Sequence, residues 1–381
     1  MKKLTGVIAL ILMLATTLLL PVGCGGGRMP EVTILVAKRW PELLRVLPEN
    51  EETLKAAYLQ DNAYMLEKIT QPDYAIGHNL PMFGSSPRSY SDEEWKATLG
   101  FVATDIDQMI YAGSAPPRYY EAVKGRFNQS DVDNATRTGP MNKRLEVVSY
   151  AGHEFYSWGE DFGVNLAMRS NVRPLGRGHW LALVDDFIFW MLWTEGIEEM
   201  IDSYEGNIKS LADNDVYQLL AAGLEELDTV TAFFSSEPQS ASHFKEIHGQ
   251  QIEEMESETR EILLKELESS VKLEPYLALA TGAGKDEEGY YLAVALANTD
   301  DATAQQNVKL LEQRLNQSRR VWGPHPRNGG ELWSDFIENM SIESRGRLTL
   351  AKVYGPIVEY WDRFEMSSPW GPYEPLLLHE G

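Results

Sequence analysis

The sequence predicts an α+β fold in which antiparallel sheets are covered by helices. Apolar residues make up 43% of the 381 residues and charged residues 24%, which is ordinary for a globular protein. Strand-like and helix-like stretches alternate without a strict period, and many strand-like stretches lie close together along the chain. Strands joined by short turns pair antiparallel, so this spacing favours antiparallel sheets.

The first 23 residues have the pattern of a secretory signal peptide. A positively charged start is followed by an apolar run from Leu4 to Leu20, and Pro21 ends the helix that this run would form. Small residues then precede Cys24, the one cysteine of the chain. An uncleaved anchor is the alternative, because the run is close to the shortest membrane span.

The residues from Leu20 to Cys24 resemble the lipobox of bacterial lipoproteins. In that family the cysteine thiol is acylated by diacylglycerol and becomes the first residue of the mature chain. The pattern departs from the family at Pro21, where a leucine is usual. The resemblance implies a lipid on Cys24, which would hold the protein to the extracytoplasmic face of a cell membrane. A thiol used in this way forms no disulfide, so the fold must depend on its core.

Composition divides the chain into five parts. A signal peptide over 1–23 precedes a glycine-rich tether over 24–40, since three consecutive glycines form no stable element. A first α+β half is predicted over 41–235, an acidic helical connector over 236–274 and a second α+β half over 275–381. Both halves contain two strands followed by a helix, so they are either related or merely adjoining.

Periodicity and turn residues predict the elements of the first half. Trp180–Val184 and Phe187–Trp193 flank Asp185 and Asp186, which predicts a hairpin with a two-residue acidic turn. Strands are also predicted over 54–61, 106–112, 119–127 and 145–158, helices over 62–69, 195–204 and 216–227, a helix capped by Ser91, a helix capped by Ser130, and a loop over 71–90.

The second half is predicted to contain four strands and two helices. A helix capped by Asp301 or Thr303 runs to Gln317. The strands are placed over 276–280, 290–297 and 348–354, a helix over 358–364, and a further strand that closes a sheet over 376–379.

Several motifs of the body resemble a pattern in uncharacterised bacterial envelope lipoproteins. The resemblance covers most of the body and implies location and fold, but no reaction. Its residues have a structural character: glycines at turns, a serine that caps, and apolar strand positions. The motifs are Gly125–Asn128, Tyr150–Tyr156, Met200–Asp202 with Gly206, Ser210–Asp213, Asn307–Leu315 and Gly346–Ala351.

The formal charge of −23 makes nucleic acid an unsuitable partner, because the chain repels phosphates. Signatures of a serine nucleophile or a phosphate-binding loop are absent from the sequence. His243 and His248 are five residues apart, a spacing that places them on different sides of a helix. The sequence therefore predicts no metal site, no cofactor and no catalytic residue.

Four tryptophans lie beside proline, glycine and charged residues. Side chains of this kind can stack on sugar rings or anchor a protein partner when they are exposed. The alternative is that they pack beneath loops of the second half. These candidate ligand contacts are Trp322, Trp333, Trp361 and Trp370.

Two functions follow from these observations. The first is a lipid-anchored envelope protein with a non-catalytic binding or structural role, whose ligand is an envelope protein or a glycan. The second is a hydrolase that cleaves cell-wall polymers with acidic residues. A binding module should present an exposed aromatic patch, whereas an enzyme should hold convergent carboxylates in a cleft, one of them in an apolar wall.

The Cys24→Ser variant should carry no lipid, because a serine hydroxyl does not replace the acylated thiol. Metabolic labelling with a radioactive fatty acid should mark the wild type and leave the variant unlabelled. Labelling of the variant at the wild-type level would show that the leader is not of the lipoprotein type.

Overall fold

The computed structural model describes residues 39–68, 92–115, 118–140, 142, 145–169, 176, 179–237, 240–319, 331–358 and 375–379. These residues lie in one compact unit, Leu35–Gly381. The described strands are β1 (Ala57–Asp61), β2 (Ile106–Ala115), β3 (Arg118–Gly125), β4 (Leu145–Tyr150), β5 (His153–Trp158), β6 (Trp180–Val184), β7 (Phe187–Met191), β8 (Thr231–Ser235), β9 (Tyr276–Asp286), β10 (Gly289–Asn298), β11 (Asn339–Arg345) and β12 (Leu348–Tyr354).

Two of the described helices precede β1, and the others lie between strands in the chain. They are α1 (Trp40–Leu44), α2 (Glu51–Lys55), α3 (Asn62–Lys68), α4 (Asp92–Leu99), α5 (Gln129–Thr138), α6 (Thr194–Glu205), α7 (Asp215–Glu226), α8 (Ala241–Glu254), α9 (Ser257–Ser269) and α10 (Asp301–Gln317).

All twelve described strands belong to one sheet, in the order β11-β12-β10-β9-β8-β1-β2-β3-β7-β6-β5-β4. Each pair of neighbours is antiparallel, which confirms the predicted α+β class. The register of β8 against β9 pairs Phe233 with Thr281, so the two predicted halves share this sheet. The division into two halves stays a prediction.

The hairpin of β6 and β7 forms where the sequence predicts it. Val184 pairs with Phe187, and Asp185 adopts a positive φ of 53° at the turn. Aspartate tolerates this left-handed conformation better than most residues. Every residue of β6 and β7 is buried, because helices cover the sheet on both faces here.

One face of the sheet, called face A, carries Leu59, Ala122 and Phe189 and is covered by α1, α6 and α7. The strand β10 contributes only alanines and one tyrosine to this face. Short side chains let α7 approach closely. A Cβ at Gly223 of α7 would lie 2.9 Å from a side-chain methyl of Leu350, so a larger residue would require this leucine to shift.

The opposite face, called face B, holds two apolar clusters. Trp95 of α4 and Val132 of α5 pack on the β2–β7 side of the sheet. Leu311 and Leu315 of α10 pack on β10 and β12 at the other side. The C-terminal residues Pro375–Leu377 form a 3₁₀ turn that adds to the second cluster.

Arg314 of α10 is fully buried and joins three separate segments. Its guanidinium donates to the carbonyls of Val271 and Leu376 and to the Ser270 hydroxyl at 2.9 Å. Burial lowers the pKa of Arg314 to about 10, and the nearby Glu266 carboxylate opposes that shift. A buried cation is tolerable when its N–H groups are hydrogen-bonded and an opposite charge is near, as the carbonyls, the Ser270 hydroxyl and the Glu266 carboxylate provide here.

A second buried polar group ties α10 to the sheet. Asn307 donates to the Asn298 side chain at 2.7 Å, and its own side-chain oxygen accepts from the Glu274 backbone at 2.7 Å. Asn298 donates to the carbonyl of Arg347 at 2.9 Å and to the Thr349 hydroxyl at 3.1 Å. The side-chain amides of Asn298 and Asn307 therefore find their hydrogen-bond partners within the protein.

Several predicted boundaries are wrong. The predicted strand over 54–61 is divided, since Asn50 caps α2 and the strand begins at Ala57. Asn128 rather than Ser130 caps α5, and Asp300 rather than Asp301 or Thr303 caps α10. In each case the capping side chain lies one or more residues earlier in the chain than the sequence suggested, because the first turn is already helical at the predicted cap.

Three further differences concern strands. β8 and β11 were not predicted. β9 continues to Asp286 through Gly282 and Gly284, where a Cβ would clash with the backbone of Thr231 and the ring of Tyr291. Residues 376–379 form a turn with single bridges at His379 instead of a strand. Ser91, the loop over 71–90 and almost all of the helix predicted over 358–364 lie outside the described residues.

Arg314→Leu should lower the free energy of unfolding by about 3–5 kcal/mol, because it leaves buried carbonyls without their donor and removes the positive charge near Glu266. Arg345→Leu is the matched control: this arginine is half-exposed beside Glu226 and Glu343, and its loss should cost less than about 1 kcal/mol. Urea unfolding followed by circular dichroism measures both. Equal losses would show that the buried contacts of Arg314 carry no special weight.

Candidate functional site

The structure describes one of the five residues predicted for lipidation or ligand contact. Trp333 is buried, with 2% of its surface exposed, and its ring lies 6.4 Å from that of Phe336. The prediction that Trp333 is an exposed ligand contact is wrong, because the ring packs in the second face-B cluster, away from solvent. Cys24, Trp322, Trp361 and Trp370 lie outside the described residues.

The motif residues in the resemblance to envelope lipoproteins hold the fold together. Gly206 ends α6 with a positive φ of 77°, as a left-handed helix cap requires. The backbone and hydroxyl of Ser210 both donate to Asp213, at 2.9 and 2.8 Å. Asn307 and Arg314 supply the buried contacts of α10. None of these contacts has a catalytic geometry.

A line of cross-strand neighbours on face B, the central row, contains one carboxylate. The register places Phe233, Tyr58, Tyr111, Glu121 and Trp190 side by side on β8, β1, β2, β3 and β7. The rings of Tyr58 and Phe233 are 4.8 Å apart, and Glu121 is 2% exposed. The carboxyl therefore lies in an aromatic wall.

The position of Glu121 affects the tyrosine beside it. Burial, together with the Glu121 carboxylate, raises the pKa of Tyr111 well above its usual range. Tyr111 also stacks on Tyr119, with 5.2 Å between the ring centroids. A carboxyl in apolar surroundings is the type of group that acts as a general acid. Tyrosine and tryptophan faces beside a carboxylate also attract cations, so the central row has the chemistry for either role.

A second concentration of carboxylates lies on one side of α6. Glu195, Glu198, Asp202 and Glu205, called the acidic stripe, recur at spacings of three or four residues. Asp161, in the loop after β5, accepts from the backbone and hydroxyl of Thr194 at the start of this helix. Carboxylates near a helix N-terminus are favourable, but those in its last turn oppose the helix dipole.

Side chains from β4 and β5 hold the C-terminal part of the stripe in place. The Tyr150 hydroxyl donates to Asp202 at 2.6 Å, and this bond with burial raises the pKa of Tyr150 to about 12. His153 lies 2.9 Å from Glu205. The turn between them is tight, with positive φ at Ala151 and Gly152. The contacts fix the stripe beside the edge strand of the sheet.

The stripe has an electrostatic cost at its centre. Partial burial, together with Asp202, Glu195 and Asp161, raises the pKa of Glu198 above its usual value. Like charges this close disfavour ionisation, and a cation placed among them would relieve the repulsion. The stripe was not recognised from the sequence, although the helical spacing of its acids within the predicted 195–204 helix was a usable signal.

His243 and His248, which the sequence places on different sides of a helix, have different neighbours in the structure. His243 lies 3.3 Å from Glu237, whereas His248 packs on Phe244 with ring centroids 4.7 Å apart. Among the described residues, no group of three or more His, Cys, Asp or Glu side chains is arranged to hold a metal ion. In the same part of the chain, no helix has the length and apolar character that crossing a membrane requires.

Glu198→Gln should raise the free energy of unfolding at pH 7 by up to about 0.5 kcal/mol, the scale of a surface change. The folded pKa of Glu198 is raised, so the wild type loses stability as the pH rises from about 4, the unfolded value, through the folded pKa. The gain of the variant should therefore vanish below about pH 4. Thermal unfolding across this range tests it, with Glu253→Gln on α8 as the control. A gain that persists at low pH would contradict the like-charge explanation.

Comparison with known proteins gives only distant structural similarity. No family model and no curated protein matches the chain. Crystal form III of TP0453 is similar with a TM-score of 0.39 and 8% identity, over 82% of this chain and 94% of that one. Crystal form I of TP0453 gives a TM-score of 0.37 and 9% identity, over 83% and 94%.

Proposed function

We propose that this chain is a lipid-anchored protein of the extracytoplasmic cell envelope whose body binds another envelope component and catalyses no reaction. The charged start, the apolar run and Cys24 support the anchor. Two acyl chains on one cysteine suffice for stable membrane attachment, whereas a single chain does not. The acidic body is not attracted to anionic lipid surfaces, so the lipid is the proposed link to the membrane.

The binding role is supported above all by the fixed geometry of the acidic stripe. Tyr150 and His153 hold Asp202 and Glu205 in place, while Glu198 remains partly buried among like charges. A preorganised group of carboxylates loses little side-chain entropy when a cationic partner arrives. Electrostatic complementarity of this kind selects partners and speeds their association. The proposed ligand is therefore a basic envelope component.

The central row favours one alternative function. Glu121 is a carboxyl in an aromatic wall, as the general acid of a cell-wall-polymer hydrolase would be. Glycoside cleavage also needs a second carboxylate at the opposite side of the scissile bond. The register gives Glu121 the neighbours Tyr111 and Trp190, which supply no such group. The binding role is accordingly preferred.

A photo-crosslinking amino acid in place of Glu198 should yield one discrete adduct in intact cell envelopes, because the partner contacts the stripe. The same amino acid in place of Glu253, an exposed acid of α8, is the matched control and should yield none. Electrophoresis of the irradiated full-length chain measures both.

Equal adducts at both positions, or none at either, would contradict the binding proposal. Release of soluble fragments from purified cell-wall polymer by the wild type, abolished in Glu121→Gln, would favour the hydrolase alternative instead.

A further inference from the structure

The two ends of the sheet differ in how they are protected. At one end, β11 carries Glu343 and Arg345, and α10 packs over the strand. Charged residues and a covering helix are common devices against unwanted pairing at a sheet edge. At the other end, β4 reads Leu-Glu-Val-Val-Ser-Tyr, with one charge in six residues. Val147 of this strand is 40% exposed.

Hydrogen-bond directions show which backbone groups β4 presents at its outer edge. The Trp158 N–H donates to His179 at 2.9 Å, away from β4, so Trp158 and Leu145 form a non-hydrogen-bonded pair. Alternation along the ladder then turns the backbone groups of Val147 and Ser149 outward. Leu145 donates to Asn142 at 3.3 Å, but Val147 and Ser149 have no backbone partner beyond β4 among the described residues.

The surroundings of β4 differ between the two faces. Val148 and Tyr150 lie on face A, where Tyr150 reaches Asp202 of the acidic stripe. Leu145 and Val147 lie on face B by alternation, and Leu145 packs on an apolar cluster there. A strand added beside β4 would therefore have carboxylates near the side chains on one face and apolar groups near those on the other.

We propose that β4 is a docking edge for an extended segment of a basic partner protein, in which lysine or arginine alternates with apolar residues. The partner adds an antiparallel or parallel strand to the sheet through the outward backbone groups of Val147 and Ser149. Its cationic side chains face the acidic stripe, and its apolar side chains cover Val147. Main-chain bonds supply affinity in such strand addition, and alternate side chains supply specificity.

A second copy of the chain is a poorer occupant of this edge. Each copy has a formal charge of −23, and pairing of two β4 strands would bring two stripes and two Glu146 side chains together. Charge complementarity thus selects a basic partner. A basic partner on β4 rests on the proposed function, because it identifies what the acidic stripe binds. It also requires the open backbone edge of β4.

The test uses the full-length chain in detergent and a fluorescent octapeptide in which Lys and Val alternate. Fluorescence anisotropy should show saturable binding, weaker by at least about tenfold for a peptide with four Lys followed by four Val. Val147→Pro should weaken binding by a similar factor, because proline removes an outward N–H without breaking a β4–β5 bond. Ser344→Pro, which removes an outward N–H from β11, should bind like the wild type.

A peptide with N-methylated valines tests the backbone bonds without changing the protein, and its binding should also be lost. Equal binding of the block peptide, or normal binding by Val147→Pro, would overturn strand addition. If the wild type sediments as a dimer and Val147→Pro as a monomer, the edge binds a second copy of the chain, which would overturn the basic partner. If strand addition or the basic partner fails in these tests but Glu198 still crosslinks in cell envelopes, the proposed binding function stands and its partner does not dock on β4.

Discussion

The structure depends on one continuous backbone ladder. Each described strand between β11 and β4 has a neighbour on both sides, so its buried N–H and C=O groups are paired within the sheet. Helices cover both faces of much of the sheet, so most side chains that point either way are apolar, although Glu121 is an exception. This explains why β6, β7 and much of β10 are continuous apolar runs instead of alternating ones. The only cysteine precedes the body, so this ladder is not reinforced by a disulfide.

An acidic chain needs neutral partners for its carboxylates. With 57 acidic and 34 basic residues, many acids have no cation to pair with. Tyrosine hydroxyls fill that role repeatedly, as with Tyr150 and Asp202 or Tyr204 and Asp185. A phenol donates a hydrogen bond without adding charge. Burial, together with the hydrogen bond to Asp185, raises the pKa of Tyr204 to about 12. The further pairs are Tyr64–Asp228, Tyr120–Glu199, Tyr156–Asp133 and Tyr354–Asp286.

Local patterns predicted the elements whose signals are local. The β6–β7 hairpin was predicted because apolar runs flank a two-residue acidic turn, and α6 because its apolar residues recur with helical spacing. β11 was missed because only Met340 and Ile342 are apolar in its seven residues, and β8 because no two-residue turn beside it marks a hairpin. The buried state of Arg314 could not be predicted, since its acceptors lie 43 and 62 residues away. Trp333 shows the same limit: a ring beside polar residues in sequence is covered by residues that are distant in sequence. The acidic stripe could have been predicted from the helical spacing of its acids, whereas its contact with Tyr150 depends on the order of the strands.

The protected state of β11 limits how copies of this protein can assemble. An open-ended sheet with two sticky edges can stack head to tail, since each copy offers a donor edge to the next and the rotation need not close. Here the edge at β11 carries Glu343 and Arg345 beneath α10, so a neighbouring β4 finds no matching apolar strand. The described part of the body therefore offers one sheet edge for strand addition, so copies cannot extend a continuous sheet in both directions. If the proposed lipid anchor concentrates the protein on a membrane surface, this property would keep crowded copies from extending into filaments.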